Sequence, residues 1–145
     1  MTGFVDPTKE DFARFKALPR GGPIWMLNLL RFRERAAYPP DHANADKGLS
    51  GAEAYRYYGR ESAPVFQRVG GRQLWLAEPA MTLIGPPDEA WDLAFVAEYP
   101  DADAFIEMLR DPDYRVAVVH RQAAVADSRL IRMAPKPTDG LSFGD

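Results

Sequence analysis

The sequence predicts an α+β domain, with a four-stranded antiparallel sheet in the chain order β-α-β-β-α-β behind one extra N-terminal helix. Three observations predict it. Two segments, Ile24 to Phe32 and Asp92 to Tyr99, are apolar on both faces, as central strands are. A third strand-like segment, Arg72 to Ile84, contains Pro79, and proline cannot donate to a ladder, so that strand belongs at an edge. Between the strands lie segments of helical period with recognisable start signals.

The elements follow in order. Asp6 and Thr8 are candidate caps of a short helix over about 8–18, with Pro7 suited to a first turn. Phe12, Phe15 and Leu18 give it one apolar face. Pro19, Gly21, Gly22 and Pro23 break the chain. In the first strand, Ile24, Met26, Leu30 and Phe32 share one face with Asn28, while Trp25, Leu27 and Leu29 share the other. A strand apolar on both sides needs two covering layers, and the helices of so short a chain supply one. A second copy of the chain is the natural second layer.

The stretch 33–49 is polar and long for a connection, which suits a lid or a dimer arm. Ser50 and Glu53 form a capping box. The helix they start runs to about Val69, through Pro64, and Gly70-Gly71 ends it. Gly85, Pro86 and Pro87 turn the chain into the third strand, and Pro100 stops that strand. Asp101 caps one helix. Asp111-Pro112 starts the next, which is predicted to reach Ala126. Ser128 to Met133 is the last strand, and 134–145 is expected to be a loose tail. The whole chain, 1–145, is predicted to be one domain with its core over about 23–133. In the ferredoxin-like arrangement of this order the first and third strands are central, in agreement with their apolar faces.

Composition narrows function. There is no cysteine, which excludes disulfides and thiol chemistry and fits a reducing cytoplasm. Net charge is −3, from 18 basic and 21 acidic residues, with no basic stripe, so no nucleic-acid partner is expected. The longest apolar run is too short to span a bilayer, and no signal peptide is visible. No Gly-rich phosphate loop, nucleophile elbow or H-E-x-x-H is present.

Candidate chemistry centres on the helix that begins at Pro112. Val116, Ala117, His120 and Ala124 share its inward side, flanked by Tyr114 and Arg121. A histidine among small side chains is a candidate catalytic acid or base; its alternative is a buried histidine satisfied by a carbonyl. Arg121 is a candidate anion holder, with an ion pair to Glu61 or Asp92 as its alternative. Asn28 interrupts an apolar strand and either pins a loop or donates to a ligand oxygen. Tyr55 and Tyr58 face inward from the capped helix as core residues or substrate-binding groups. His42 lies near Asp41 and Asp46 without the spacing of a metal site, so no metal and no cofactor are expected.

The runs Asn28-Leu29-Leu30-Arg31-Phe32, Gly70-Gly71-Arg72, Trp91-Asp92, Tyr99-Pro100, Asp111-Pro112-Asp113-Tyr114, His120-Arg121 and Ser128-Arg129-Leu130-Ile131 resemble the bacterial family called domain of unknown function 1330. The resemblance covers about Pro23 to Met133. It implies a ferredoxin-like protomer in a dimeric α/β-barrel, where two sheets pack face to face, and it implies no established reaction. Proteins of that architecture include cofactor-independent monooxygenases, isomerases, haem-handling enzymes and inert stress proteins. The expectation is therefore a small-molecule-binding homodimer, an enzyme on a small organic acid or aromatic in one reading. A non-catalytic ligand-binding or structural dimer is the alternative, and a haem-handling protein with His120 as axial ligand is a second one.

Overall fold

A computed structural model describes residues 3–137. The order is α1 (Lys9–Ala17), β1 (Ile24–Phe32), α2 (Gly51–Arg68), β2 (Arg72–Ala77), β3 (Leu93–Tyr99), α3 (Ala102–Arg110), α4 (Pro112–Ala124) and β4 (Val125–Met133). The four strands form one sheet in the order β2-β3-β1-β4, antiparallel throughout, with β1 and β3 central and β2 at an edge as predicted.

Local chemistry explains the boundaries. The Thr8 hydroxyl accepts from the Asp11 N–H and caps α1. Ser50 and Glu53 close both halves of a capping box at the start of α2. Asp111 ends α3 and also starts α4, its carboxylate accepting from the Asp113 and Tyr114 N–H groups with Pro112 in the first turn. Two boundaries differ from the sequence prediction. β2 stops at Ala77, before Pro79, so 78–84 is not strand. α4 ends at Ala124 rather than Ala126, and Val125 enters β4 directly, opposite Phe32. Helix-favouring alanines at 123, 124 and 126 hide that junction in the sequence, whereas pairing with β1 decides it. Of the predicted tail, residues 134–137 have no regular structure, and the rest lies outside the described residues.

The helices cover one sheet face. There, two buried clusters form, one around Ile24, Met26, Val65, Tyr99, Met108 and Tyr114, the other around Leu30, Ala54, Ala124 and Val125. On β1 they are separated by Asn28, which is only half buried. The opposite face carries a row across all four strands, in which Trp75 pairs with Val96, Val96 with Leu27 and Leu27 with Ile131. Trp75 and Ile131 are each 47% exposed there. Among the described residues no helix is long and apolar enough to cross a membrane.

Candidate functional site: a cavity between sheet and helices

Where Asn28 interrupts the core, the structure has a cavity of about 820 Å³ between the sheet, α1, α2 and the α3–α4 pair. Four of the five sequence-predicted site residues line it: Asn28, Tyr55, Tyr58 and Arg121. Asn28 stands on the helix-facing side of β1, opposite Phe95 and Leu130. Its amide nitrogen donates to the Met26 carbonyl at 3.0 Å. Tyr55 and Tyr58 lie near the start of α2, their rings tilted at 5.2 Å. The Tyr58 hydroxyl is 2.8 Å from that of Tyr114 on α4, and either can donate.

Arg121 leaves α4 towards the β4 side of the cavity. Its guanidinium donates to the Val5 carbonyl at 2.5 Å and, at 3.5 Å, to the Ser128 hydroxyl. The expected alternative, an ion pair with Glu61 or Asp92, is not what forms. Asp92 instead accepts from the Phe32 N–H, and Glu61 sits 2.9 Å from His120. Among the described residues Arg121 takes part in no ion pair. Burial raises the Tyr55 and Tyr58 hydroxyls above the ordinary tyrosine pKa; the Arg121 charge opposes this at both, as does the Tyr114 hydroxyl at Tyr58. Burial also raises Tyr114, again against Arg121. All three phenols therefore stay protonated, as hydrogen-bond donors.

The far end of the cavity is aromatic. Phe15 and Phe105 approach at 5.2 Å, Tyr99 and Phe105 at 5.2 Å, and Phe66 and Tyr99 at 5.4 Å. Sequence reasoning missed Phe15 and Phe66 as cavity residues. The helical period put Phe15 on an apolar face and did not single out Phe66, and an inward aromatic looks the same whether it meets a neighbour or a void.

His120 is the residue the structure does not bring to this site. It is 4% exposed and faces α2 and the segment 33–49. Nδ1 is 2.6 Å from the Tyr38 hydroxyl and Nε2 is 2.9 Å from a Glu61 carboxylate oxygen. Tyr57 stacks on its ring at 5.2 Å, and His42 meets it edge-on at 5.2 Å. Burial lowers its pKa below the ordinary histidine value, only partly opposed by Glu61, and His42 and Arg60 push the same way. The sequence placed His120 on an inward side of α4, which is right. However, α4 is covered on two sides, by the sheet and by α2, and helical period alone cannot tell which side holds the cavity. Among the described residues no three His, Asp or Glu side chains gather as metal ligands.

The architecture defines a ferredoxin-like α+β protein with a ligand-sized cavity under its helices. The chain belongs to the family described as Domain of unknown function (DUF1330), whose profile matches residues 46–134. It is 59% identical to a protein of unknown function from Rhodopseudomonas palustris, RPA0582, over 94% of this chain and 100% of that one, with a TM-score of 0.86. The methylated RPA0582 protein gives 56% identity over 100% of both chains, with a TM-score of 0.88. A cofactor-independent oxygenase from Streptomyces nogalater, SnoaB, shares the fold at 16% identity, covering 86% of this chain and 100% of its own, with a TM-score of 0.50. No functionally curated protein matches the chain.

Proposed function

We propose that this protein is a homodimer that binds a small organic molecule, an acid or an aromatic, in the cavity between sheet and helices. One observation carries the reading. The apolar core is interrupted, at the polar Asn28, by about 820 Å³ lined with aromatic rings and a few convergent polar groups. Pockets for small ligands have this size and composition, about 300–1,000 Å³ and mostly apolar with few polar groups. In this reading Asn28, Arg121, Tyr55 and Tyr58 hold the ligand.

Turnover without a cofactor is the enzymatic form of the reading, by analogy of fold with SnoaB. Binding without turnover is favoured by one observation: both ring nitrogens of His120 are engaged outside the cavity, so His120 is not at hand to move a proton there. Haem ligation by His120 would first have to break one of those two contacts. Mass spectrometry of metabolites released from the purified native protein tests the reading. A bound organic molecule supports it, and turnover of that molecule separates enzyme from binder. A clean preparation, with no melting shift across a panel of aromatic and aliphatic acids, argues against it.

The dimer rests on the row Trp75, Val96, Leu27 and Ile131 on the sheet face away from the helices, where Trp75 and Ile131 are exposed, Leu27 is half-buried and Val96 is buried between its neighbours. A second sheet is the partner that matches such a strip in shape and polarity. Light scattering at micromolar concentration should give twice 16.2 kDa, and Leu27→Glu should give a monomer. A wild-type monomer overturns the dimer.

A further inference from the structure

We infer that the ligand of this cavity is an amphipathic aromatic anion, a planar ring system carrying one carboxylate or enolate, with its charged group at Arg121. The inference rests on the cavity being the ligand site and names the chemistry that site selects.

The cavity has two unlike ends, and the sheet register orders them. Leu30 pairs with Ser128, Asn28 with Leu130 and Met26 with Arg132. At the Leu30 end stand Ser128, Arg121 and Tyr55; at the Met26 end stand Phe66, Tyr99 and Phe105. Each strand residue advances about 3.3 Å, so the polar and aromatic ends lie within one small ligand's length.

The polar end is short of acceptors. A guanidinium has five N–H donors, and Arg121 engages two atoms with them, Val5 O and Ser128 Oγ. The Ser128 hydroxyl donates to the Phe4 carbonyl at 2.7 Å, so its hydrogen is taken. The Tyr58–Tyr114 pair consumes one of its two hydroxyl hydrogens. The Tyr55 hydroxyl makes no hydrogen bond to the described residues, and Asn28 uses one amide hydrogen of two. Donors from α2, α4 and β1 thus converge with one positive charge. An ionised carboxylate or enolate accepts several such bonds and neutralises that charge; a neutral amide accepts fewer and leaves a cation in an apolar setting.

The other charged groups at the cavity have partners. Arg129 pairs with Asp127 and Glu89. Arg132 donates to the Phe15 carbonyl in the last turn of α1 and to the Pro19 carbonyl just past it, where a cation is favoured. Asp11 pairs with Arg14, and Asp6 accepts from Gln122. Among the described residues Arg121 and Arg132 both lack a carboxylate partner, and Arg121 is the one of the two at the polar end, with Ser128 and Tyr55.

The test uses 2-naphthoate and its neutral isostere 2-naphthamide, titrated by calorimetry into the full chain and three variants checked for native melting. Wild type should bind the acid at least about tenfold more tightly than the amide. Arg121→Met should abolish that preference, and Arg121→Lys should restore part of it, because a point charge replaces a planar fork. Val118→Trp, which fills the cavity from α4, should weaken both compounds. Equal affinity of wild type for acid and amide, or no binding of either, overturns the anion assignment. If both compounds bind equally and Val118→Trp weakens both, the anion assignment fails while the cavity reading survives. An acid preference that survives both Arg121→Met and Val118→Trp places binding elsewhere and overturns both.

Discussion

His120 and Arg121 are consecutive on α4, yet they face environments of opposite kinds. His120 sits in a closed chain of hydrogen bonds. The Asn44 amide donates to the Tyr38 hydroxyl at 3.4 Å, which leaves that hydroxyl free to donate to His120 Nδ1, while Nε2–H reaches Glu61. Arg121 faces a cavity with donors to spare, and neither carboxylate that lines it, Asp6 or Asp11, forms an ion pair with it among the described residues. The first arrangement is complete without any partner and holds segment 33–49 against α2 and α4. The second is incomplete within one chain. A buried polar group that is fully satisfied reads as scaffold, whereas one left waiting reads as a binding site. Neighbouring residues can therefore differ wholly in role, about 100° of helix rotation apart.

The largest expected effect lies on the closed side. His120→Ala removes a buried ring, strands the Tyr38 hydroxyl and opens a void, and should cost about 2–4 kcal/mol in urea melts. The melts must be run at equal protein concentration, since the stability of the proposed dimer would depend on it. Affinity for a cavity ligand should hardly change. Lost binding at unchanged stability would break the comparison and return His120 to the binding site.

Acid should expose the same chain of bonds more gently. The folded-state pKa of His120 lies below the ordinary value of 6.5. The unfolded chain therefore binds more protons as pH falls below about 6.5, and its stability relative to the native state rises. The contribution of His120 is fully present above that pH and is lost as pH falls towards the depressed folded value. Protonated Nδ1 would also turn from acceptor to donor and face the Tyr38 hydroxyl. The melting temperature of wild type should drop between pH 7 and pH 5, and His120→Gln should drop less. Parallel pH profiles would show that other groups carry the acid sensitivity.

Arg121→Met sharpens the comparison from the open side. The substitution takes a donor from the Val5 carbonyl but also removes a cation without a counter-ion, and these changes oppose each other. Stability should shift by less than about 1 kcal/mol in either direction. A loss of 3 kcal/mol or more would make Arg121 a strut for the N-terminal segment, as firmly built in as His120.

The sheet was more legible than the site. Strand order could be read because it leaves a mark on each strand separately: two apolar faces on Ile24–Phe32, a proline just past Ala77. The starts of α2 and α4 could be read because Ser50 with Glu53 and Asp111 with Pro112 act within one turn. The end of α4 could not, because its last residues yield to pairing between Phe32 and Val125, far apart in the chain. The cavity was half legible. Asn28, Tyr55, Tyr58 and Arg121 are polar or amphipathic residues at inward positions, which is a local signal. That His120 belongs to a different neighbourhood depends on where Tyr38 and Glu61 arrive in space, 82 and 59 residues away along the chain.

The smallest expected effect belongs to Asn28, and it decides whether the break in the core is there for a ligand. Asn28 sits between the two buried clusters, with Phe95 and Leu130 beside it on the neighbouring strands. The one hydrogen bond of its side chain among the described residues runs to Met26, on its own strand, so the amide pins no other element. Leucine has similar bulk and loses no tie to another element, and it replaces a polar amide with apolar surface at the cavity floor. Asn28→Leu should therefore leave the urea midpoint unchanged or slightly higher, within about 0.5 kcal/mol, while weakening ligand binding. A fall of about 1–3 kcal/mol would mean that the amide satisfies the strand itself. Asn28 would then join His120 as scaffold, and the open side of the comparison would rest on Arg121 and the tyrosines alone.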